Sequence, residues 1–170
     1  MDAGSSVGQP RGGPPARSLT RFERARLVVG GGLDKRLTPL AVWLYRRTKG
    51  GITRLWKVDA LLLTTRGRRS GRQRTVLLQY FPDGDAMILA AANDGGPSHP
   101  GWYFNLSADA AARVEVMGRT ISVRAEEVPT NEASAWWERI LRRAPNYEQY
   151  TRATSRAIPI VRLVPVPGPR

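Results

Sequence analysis

The sequence contains no cysteine, which excludes disulfides, thiolate metal ligands and a cysteine nucleophile, and fits a reducing compartment. Its one histidine, His99, argues against both a serine–histidine triad and a multi-histidine metal site, so no metal is expected. Carboxylates are also scarce: 14 Asp and Glu face 27 Lys and Arg, for a formal charge of +13. That excess favours polyanions such as nucleic acid, an anionic membrane surface or a phosphorylated cofactor. No uncharged apolar run approaches the ~20 residues needed to span a bilayer. Residues 1–18 are rich in Gly, Pro, Ser and Ala; they lack the apolar centre of a secretory signal and read as a flexible leader. A chain of 170 residues fits one folded domain with a core of its own.

What is present is most informative between Arg66 and Arg74, where five arginines fall in a stretch without a carboxylate from Ala60 to Pro82. Apolar runs on both sides, Leu61–Leu63 before and Val76–Phe81 after, hold this basic segment between two expected strands. Gly67 and Gly71 permit a tight turn, and the arginine forks match phosphate or carboxylate oxygens. Taken alone, the segment reads equally as a solvated hairpin tip.

Further strands are expected at 61–65, 75–80, 87–92, 113–116, 120–126 and 158–164. They are separated by turn signals at Pro82–Asp85, Asn93–Gly96 and Met117–Arg119. Residues 131–143 switch to helical spacing, with Trp136, Trp137, Ile140 and Leu141 on one face and Thr130 as the expected N-cap. Leu37–Tyr45 predicts a short helix ended by Gly50-Gly51, inside an N-terminal helical segment over 19–51. Two roles stay open for it: packing on the sheet, or an interfacial helix whose Trp43 and Tyr45 enter a headgroup layer between flanking cations. Antiparallel hairpins with appended helices predict an α+β domain built on a small barrel.

Two more segments carry candidate chemistry. Ala90-Ala91-Ala92-Asn93-Asp94-Gly95-Gly96 closes a strand with small residues that let a planar ligand or a second backbone come close. The run from His99 to Leu106 opens a helix, with Pro100 suited to its first turn and free N–H groups able to meet an anion. His99 itself reads as a capping or surface residue.

In order and spacing, these pieces resemble the deazaflavin (coenzyme F420)-dependent nitroreductase and quinone reductase family. The resemblance rests on Leu62-Leu63-Thr64-Thr65, Gly67-Arg68-Arg69-Ser70-Gly71, Arg74-Thr75-Val76, Asp83-Gly84-Asp85, Ala91-Ala92-Asn93 with Gly95-Gly96, and His99-Pro100 with Trp102-Tyr103 and Asn105-Leu106. It continues through Val114–Val116 to Pro145, Tyr147, Tyr150 and Ile158–Val161. It implies a split β-barrel of the FMN-binding kind over residues 52–166, with helices appended. It also implies that Arg68, Arg69 and Ser70 hold the coenzyme's phosphate and acidic tail. The strand Arg74, Thr75, Val76, Leu77, Leu78 and Gln79 would run beside the coenzyme, as would Ala91, Ala92, Asn93 and Asp94. Gly101, Trp102, Tyr103, Phe104 and Asn105 would complete the cradle. Tyr147 would stand near the ring and the acceptor, and Tyr150 on the acceptor side, as the catalytic candidates. Leu77, Gln79, Asn93 and Ala144 depart from the family pattern, and the small side chain at 144 predicts a wider acceptor pocket.

The implied activity is hydride transfer from reduced coenzyme to a small planar acceptor such as a quinone, with nitroaromatics as adventitious substrates. The expected location is the cytoplasm, with peripheral contact on the anionic inner face of the plasma membrane. A non-catalytic deazaflavin or flavin binder is the alternative within the fold. A nucleic-acid-binding module is the alternative outside it, but the basic loop leads into an apolar strand rather than exposed stacking aromatics. No nucleic-acid partner is expected.

Overall fold

The computed structural model describes residues 38–51, 53 and 57–167. The expected leader and the first part of the N-terminal segment lie outside them. The elements are α1 (Thr38–Arg47), β1 (Ala60–Arg66), β2 (Gln73–Gln79), β3 (Phe81–Asp83), β4 (Ala86–Ala90), α2 (Gly101–Ala108), β5 (Ala111–Val116), β6 (Arg119–Glu127), α3 (Thr130–Arg143), α4 (Tyr147–Ala153) and β7 (Ile160–Pro165).

All strand pairs are antiparallel, in the order β2-β1-β5-β6-β7-β4-β3. The two ends of that order are joined in sequence by a single residue, Tyr80. Side-chain alternation runs through the junction: Val76, Leu78 and Tyr80 pack with the inner core, Leu77 with α1, and Phe81 with α3 and α4. β2 and β3 are therefore one bent strand that pairs first with β1 and then with β4. A sheet whose two edges are halves of one strand has to curl. The result is the expected α+β architecture, a split six-stranded barrel with helices appended.

Three clusters organise the packing. Leu61, Leu63, Val114, Val123, Leu89 and Leu163 fill the barrel, capped by Trp102 and Leu106 of α2. Val42 and Tyr45 of α1 cover Leu62 and Leu77 on the outer face. Trp136 and Ile140 of α3, with Tyr147 and Tyr150 of α4, cover Phe81, Ile88 and Ile160. Tyr45 donates its hydroxyl to the Ala60 carbonyl (2.8 Å), and Arg46 grips Glu115 of β5 bidentately (2.6 and 2.9 Å). After Arg47 the chain turns, and Gly50 closes the turn in the left-handed region (φ 80°), its N–H on the Tyr45 carbonyl.

Three expectations are corrected. Pro82–Asp85 was expected as turn alone, yet Phe81–Asp83 forms β3 before the turn at Gly84. The strand expected over 87–92 ends at Ala90: Ala91 N–H still donates to the Pro159 carbonyl (2.9 Å) in the β4–β7 register, but Pro159 has no N–H to return the bond. Thr130 is the first residue of α3 rather than its N-cap; Pro129 holds that position without a side-chain bond. Of the two roles left open for α1, packing on the sheet is the one observed: Val42 and Tyr45 are buried, so Tyr45 is not placed to enter a headgroup layer, whereas Leu40 and Trp43 are each 59% exposed.

Candidate functional site

The basic turn is built on its two glycines. Gly67 accepts from Gly71 N–H (2.7 Å) and donates to Arg72 O (2.8 Å), and Gly71 takes φ 66°. A Cβ at Gly67 would stand 2.9 Å from Ser70 Oγ and 3.1 Å from Arg72 O, so the turn needs glycine there. Asn105 of α2 fixes its position: Arg68 N–H donates to Asn105 Oδ1 (3.1 Å), and Asn105 Nδ2 donates to Thr65 Oγ1 (3.0 Å). The Arg68 guanidinium lies over the Phe104 ring, 4.5 Å from its centre. Arg66, Arg68, Arg69, Arg72 and Arg74 are all exposed, and none of the five enters an ion pair with the described residues. The turn therefore presents its charge to solvent rather than neutralising it within the described residues.

The split of the barrel runs from here. Continuing the β3–β4 register past Phe81 opposite Ile88 would set Gln79 opposite Ala90 and Leu77 opposite Ala92. Those pairs do not form, since β2 neighbours only β1. Among the described residues, the side of β2 that faces away from β1 thus has no strand partner, where the segment starting at Ala91 would continue the β3–β4 register.

That segment makes a turn of three consecutive left-handed residues, Asn93 (φ 50°), Asp94 (φ 53°) and Gly95 (φ 76°). Non-glycine residues adopt this conformation at a cost, so the surroundings must impose it. α4 is one such surround: a Cβ on Gly95 would lie 2.6 Å from Ala153 Cβ and 3.1 Å from Tyr150 O. Asp94 Oδ1 and Tyr150 Oη are both buried without a well-formed hydrogen bond. Burial raises the Asp94 carboxyl pKa, with the Tyr150 hydroxyl pulling the other way. Burial also raises the Tyr147 and Tyr150 phenols, and the Asp94 charge adds to both shifts, so each tyrosine stays a hydrogen-bond donor at neutral pH. The two rings meet edge-on at 5.3 Å.

A residue with no signal in the sequence ties these parts together. Arg156, between α4 and β7, donates to the carbonyls of Ala91 (3.2 Å), Ala92 (2.6 Å), Gly96 (3.0 Å) and Ala157 (3.2 Å), and to His99 Nδ1 (2.8 Å). Arginine only donates, so Nδ1 accepts and the proton of neutral His99 sits on Nε2. His99 is therefore a bridging residue rather than the cap or surface residue expected: Pro100 is the N-cap of α2. Its ring packs on Tyr103 (4.9 Å) and Phe104 (5.8 Å), and Phe104 carries Arg68. A continuous run of contacts thus links the basic turn, α2, the left-handed turn and α4.

Residues 37–165 match the F420H(2)-dependent quinone reductase family. The chain belongs to that family. It is 35% identical over 123 residues to an F420H(2)-dependent quinone reductase of Mycobacterium tuberculosis, a match covering 69% of this chain and 83% of the relative. Among solved structures, an F420-H2 dependent reductase superposes with a TM-score of 0.56 at 30% identity, over 62% of this chain and 93% of its own. A second, described as a domain-swapped dimer, gives 0.57 at 27% identity, over 72% and 98%. Membership makes the protein an oxidoreductase of the type that depends on reduced F420.

Set against this F420H(2)-dependent family, the expected site residues fall into two groups. Arg68, Phe104 and Asn105 touch one another across the basic turn, and Ala91, Ala92, Asn93, Asp94, Tyr147 and Tyr150 gather at the second turn. Trp102, Leu77 and Leu78 are buried, so their side chains are closed to a ligand, and Gly101 is exposed at the start of α2. Thr75 turns to the outer face and shares a hydrogen bond with Thr64 (2.9 Å) in a polar cavity of about 280 Å³ that Arg46 and Glu115 also line. Ala144 is 1% exposed, packed in the cluster under α3, so its small side chain leaves no open pocket at that point.

Proposed function

We propose that this chain binds reduced F420 along the split of its barrel and passes a hydride to a small planar acceptor of the quinone class, with nitroaromatics as adventitious substrates. The observation that carries this reading is the unpaired edge of β2 facing the segment that begins at Ala91, with the unpaired arginine turn at one end of α2 and the Asp94–Tyr147–Tyr150 cluster beyond the other. The unpaired edge suits the rim of a planar heteroaromatic ring. The arginines suit a phosphodiester and glutamate carboxylates, at about 1.5–3 kcal/mol for each charge-assisted bond. Two buried polar atoms that make no well-formed hydrogen bond, Asp94 Oδ1 and Tyr150 Oη, suit a ligand that brings its own donors and acceptors. Residues 52–166 would form the coenzyme-binding unit.

When bound, reduced F420 supplies the hydride, at C5 of its deazaflavin. The chain's own residues bind, orient and exclude water. Arg68, Arg69 and Ser70 hold the acidic tail, with Arg74 beside them. The backbone of Thr75–Gln79 and Ala91–Asp94 fixes the ring plane, so that donor and acceptor meet at a defined distance. A quinone that gains a hydride also needs a proton on oxygen. Tyr147 or Tyr150, kept protonated by burial, donates a hydrogen bond to that oxygen.

An anaerobic assay with reduced F420 and menadione tests the activity, with coenzyme oxidation followed optically. Failure to bind at micromolar coenzyme refutes it, and binding without turnover selects the non-catalytic reading. Arg68→Ala with Arg69→Ala is expected to weaken binding of a long glutamyl tail more than that of the tail-less chromophore; equal losses refute the tail assignment.

Peripheral contact with an anionic membrane has its own support. Leu40 and Trp43 of α1 are 59% exposed and Met117 of the β5–β6 turn 55%, with Arg47 and Lys49 alongside; a Cβ on Gly118 would stand 3.2 Å from Lys49. No helix among the described residues is long and apolar enough to cross a membrane. Sedimentation with anionic liposomes should fall when Leu40 and Trp43 are both changed to serine; unchanged sedimentation refutes the contact.

A further inference from the structure

Four hydrogen bonds from one side chain to a single distant neighbourhood are more than packing requires. Arg156 reaches the carbonyls of Ala91, Ala92 and Gly96, which lie 60 to 65 positions earlier in sequence, and the same guanidinium reaches His99. The bonded atoms bracket the left-handed turn Asn93–Gly95, whose own backbone bonds are Gly95 N–H to Ala92 O (3.1 Å) and Gly96 N–H to Asn93 O (2.8 Å), with Asn93 Nδ2 donating to Ser98 O (2.9 Å). These local bonds tie the turn to itself and to Ser98 but not to the barrel, so two unfavourable φ angles need an anchor from outside the segment.

We propose that Arg156 is the positioning residue of the coenzyme site: its planar fork clamps residues 91–99 so that Asp94 stands against Tyr150 and the Ala91–Asn93 backbone lines the split. The proposal rests on the coenzyme reading above for its functional half. Its structural half rests on the four bonds to residues 91–99 alone. Lysine cannot replace the fork, because one ammonium presents its donors from a point, whereas these acceptors are spread around a plane.

The same geometry makes His99 a reporter. Burial, and then the Arg156 cation, lower the His99 pKa, while the charge of Glu127, which accepts from Tyr103 Oη beside it, pulls the other way. Protonating His99 would turn the accepting Nδ1 into a donor facing a guanidinium, so the clamp loosens as pH falls through the lowered value. His99 is the only histidine, so its ring proton signal is unambiguous in the whole chain.

The test compares Arg156→Met and Arg156→Lys with the wild type in the full chain by three readouts. In Arg156→Met, amide exchange at Gly95 and Gly96 should rise about tenfold or more while Leu62 and Leu163 in the barrel stay slow. The His99 titration should move up, and the dissociation constant for F420 should rise about tenfold, with Arg156→Lys between the two. Unchanged exchange at Gly95 and Gly96, or an unchanged His99 titration, overturns the clamp. Faster exchange with coenzyme affinity within about twofold of wild type overturns the positioning role. Should Arg156→Met fail to fold, Arg156→Lys is held to the same three readouts, and the same results support or overturn the clamp. A wild-type chain that does not bind F420 refutes the functional reading and takes the positioning role with it, a failure recognised because the wild type itself shows it.

Discussion

Replacing Asn105 by alanine isolates the joint between the basic turn and the barrel. The amide side chain of Asn105 is 9% exposed and makes two bonds at once, accepting from Arg68 N–H at 3.1 Å and donating to Thr65 Oγ1 at 3.0 Å. Each such bond contributes about 0.5–1.5 kcal/mol net, and leaving a buried partner unsatisfied costs about 1–3 kcal/mol. Thr65 is 2% exposed and is left without Asn105, whereas the Arg68 amide lies nearer the surface, where water replaces the lost acceptor. The expected destabilisation of Asn105→Ala is therefore about 2–4 kcal/mol. With a urea slope of about 1–3 kcal/mol/M, the denaturation midpoint should fall by about 1–2 M. Asn105→Asp keeps the acceptor for Arg68, and the Thr65 hydroxyl can rotate to donate, so it should lose about 1 kcal/mol or less. Coenzyme affinity should follow the same ranking, because the turn carrying Arg68 and Arg69 loses its fixed height above α2. An alanine variant within about 0.5 kcal/mol of wild type, or an aspartate variant as unstable as alanine, would refute the reasoning.

Gly95→Ala should cost about 2–4 kcal/mol in denaturant melts, from the left-handed conformation at φ 76° and a 2.6 Å approach to Ala153 Cβ, whereas Gly84→Ala at φ 59° with open space around it should cost about 1. Adding Ala153→Gly to Gly95→Ala should recover only part, since Tyr150 O remains at 3.1 Å. Burial pushes the Tyr45 phenol up to about 12, above the ordinary value of 10.0, so its neutral form favours the folded state; about 2–3 kcal/mol, fully present below pH 10, should be lost between pH 10 and 12. Thermal melts across that window should show the loss in the wild type and a smaller one in Tyr45→Phe. Glu115 has the opposite sign: the Arg46 fork holds its carboxyl below the usual range, so its contribution is present above the ordinary carboxylate value and fades as pH falls through the depressed one. Arg46 is half exposed, so Glu115→Gln should flatten the acid limb of the stability curve only slightly.

The strands were legible where apolar residues alternate or run together, as at Leu61–Leu63 and Val114–Val116. β3 was not, because its three residues include Pro82 and lead into Asp83-Gly84-Asp85, all turn formers. The end of β4 at Ala90 was hidden too, since Ala91 and Ala92 remain buried beyond the strand end and look like strand by composition. The arginine turn was legible because charge density is local. Arg156 was not: its partners lie up to 65 residues away, and Thr154-Ser-Arg-Ala157 has neither periodicity nor a motif. The bent strand was out of reach for a related reason. A change of pairing partner at Tyr80 leaves side-chain alternation untouched, and alternation is what a sequence displays.

The last strand has a further consequence for how the molecule assembles. The β1–β2 pairing closes early in principle, since Arg66 and Gln73 are near neighbours in sequence. β7 instead sits between β6 and β4, and its pairing of Ile160 with Ala90 spans 160 − 90 = 70 residues. Such a loop costs entropy before its contacts form, so β7 enters late, after the rest of the sheet has given it two edges to join. Arg156 lies four residues ahead of Ile160 and arrives with it. A chain still growing thus carries the basic turn while residues 91–99 are unheld. On the proposed coenzyme reading, the part that would take the acidic tail forms before the part that would line the ring, and the step separating them is the closing of the barrel.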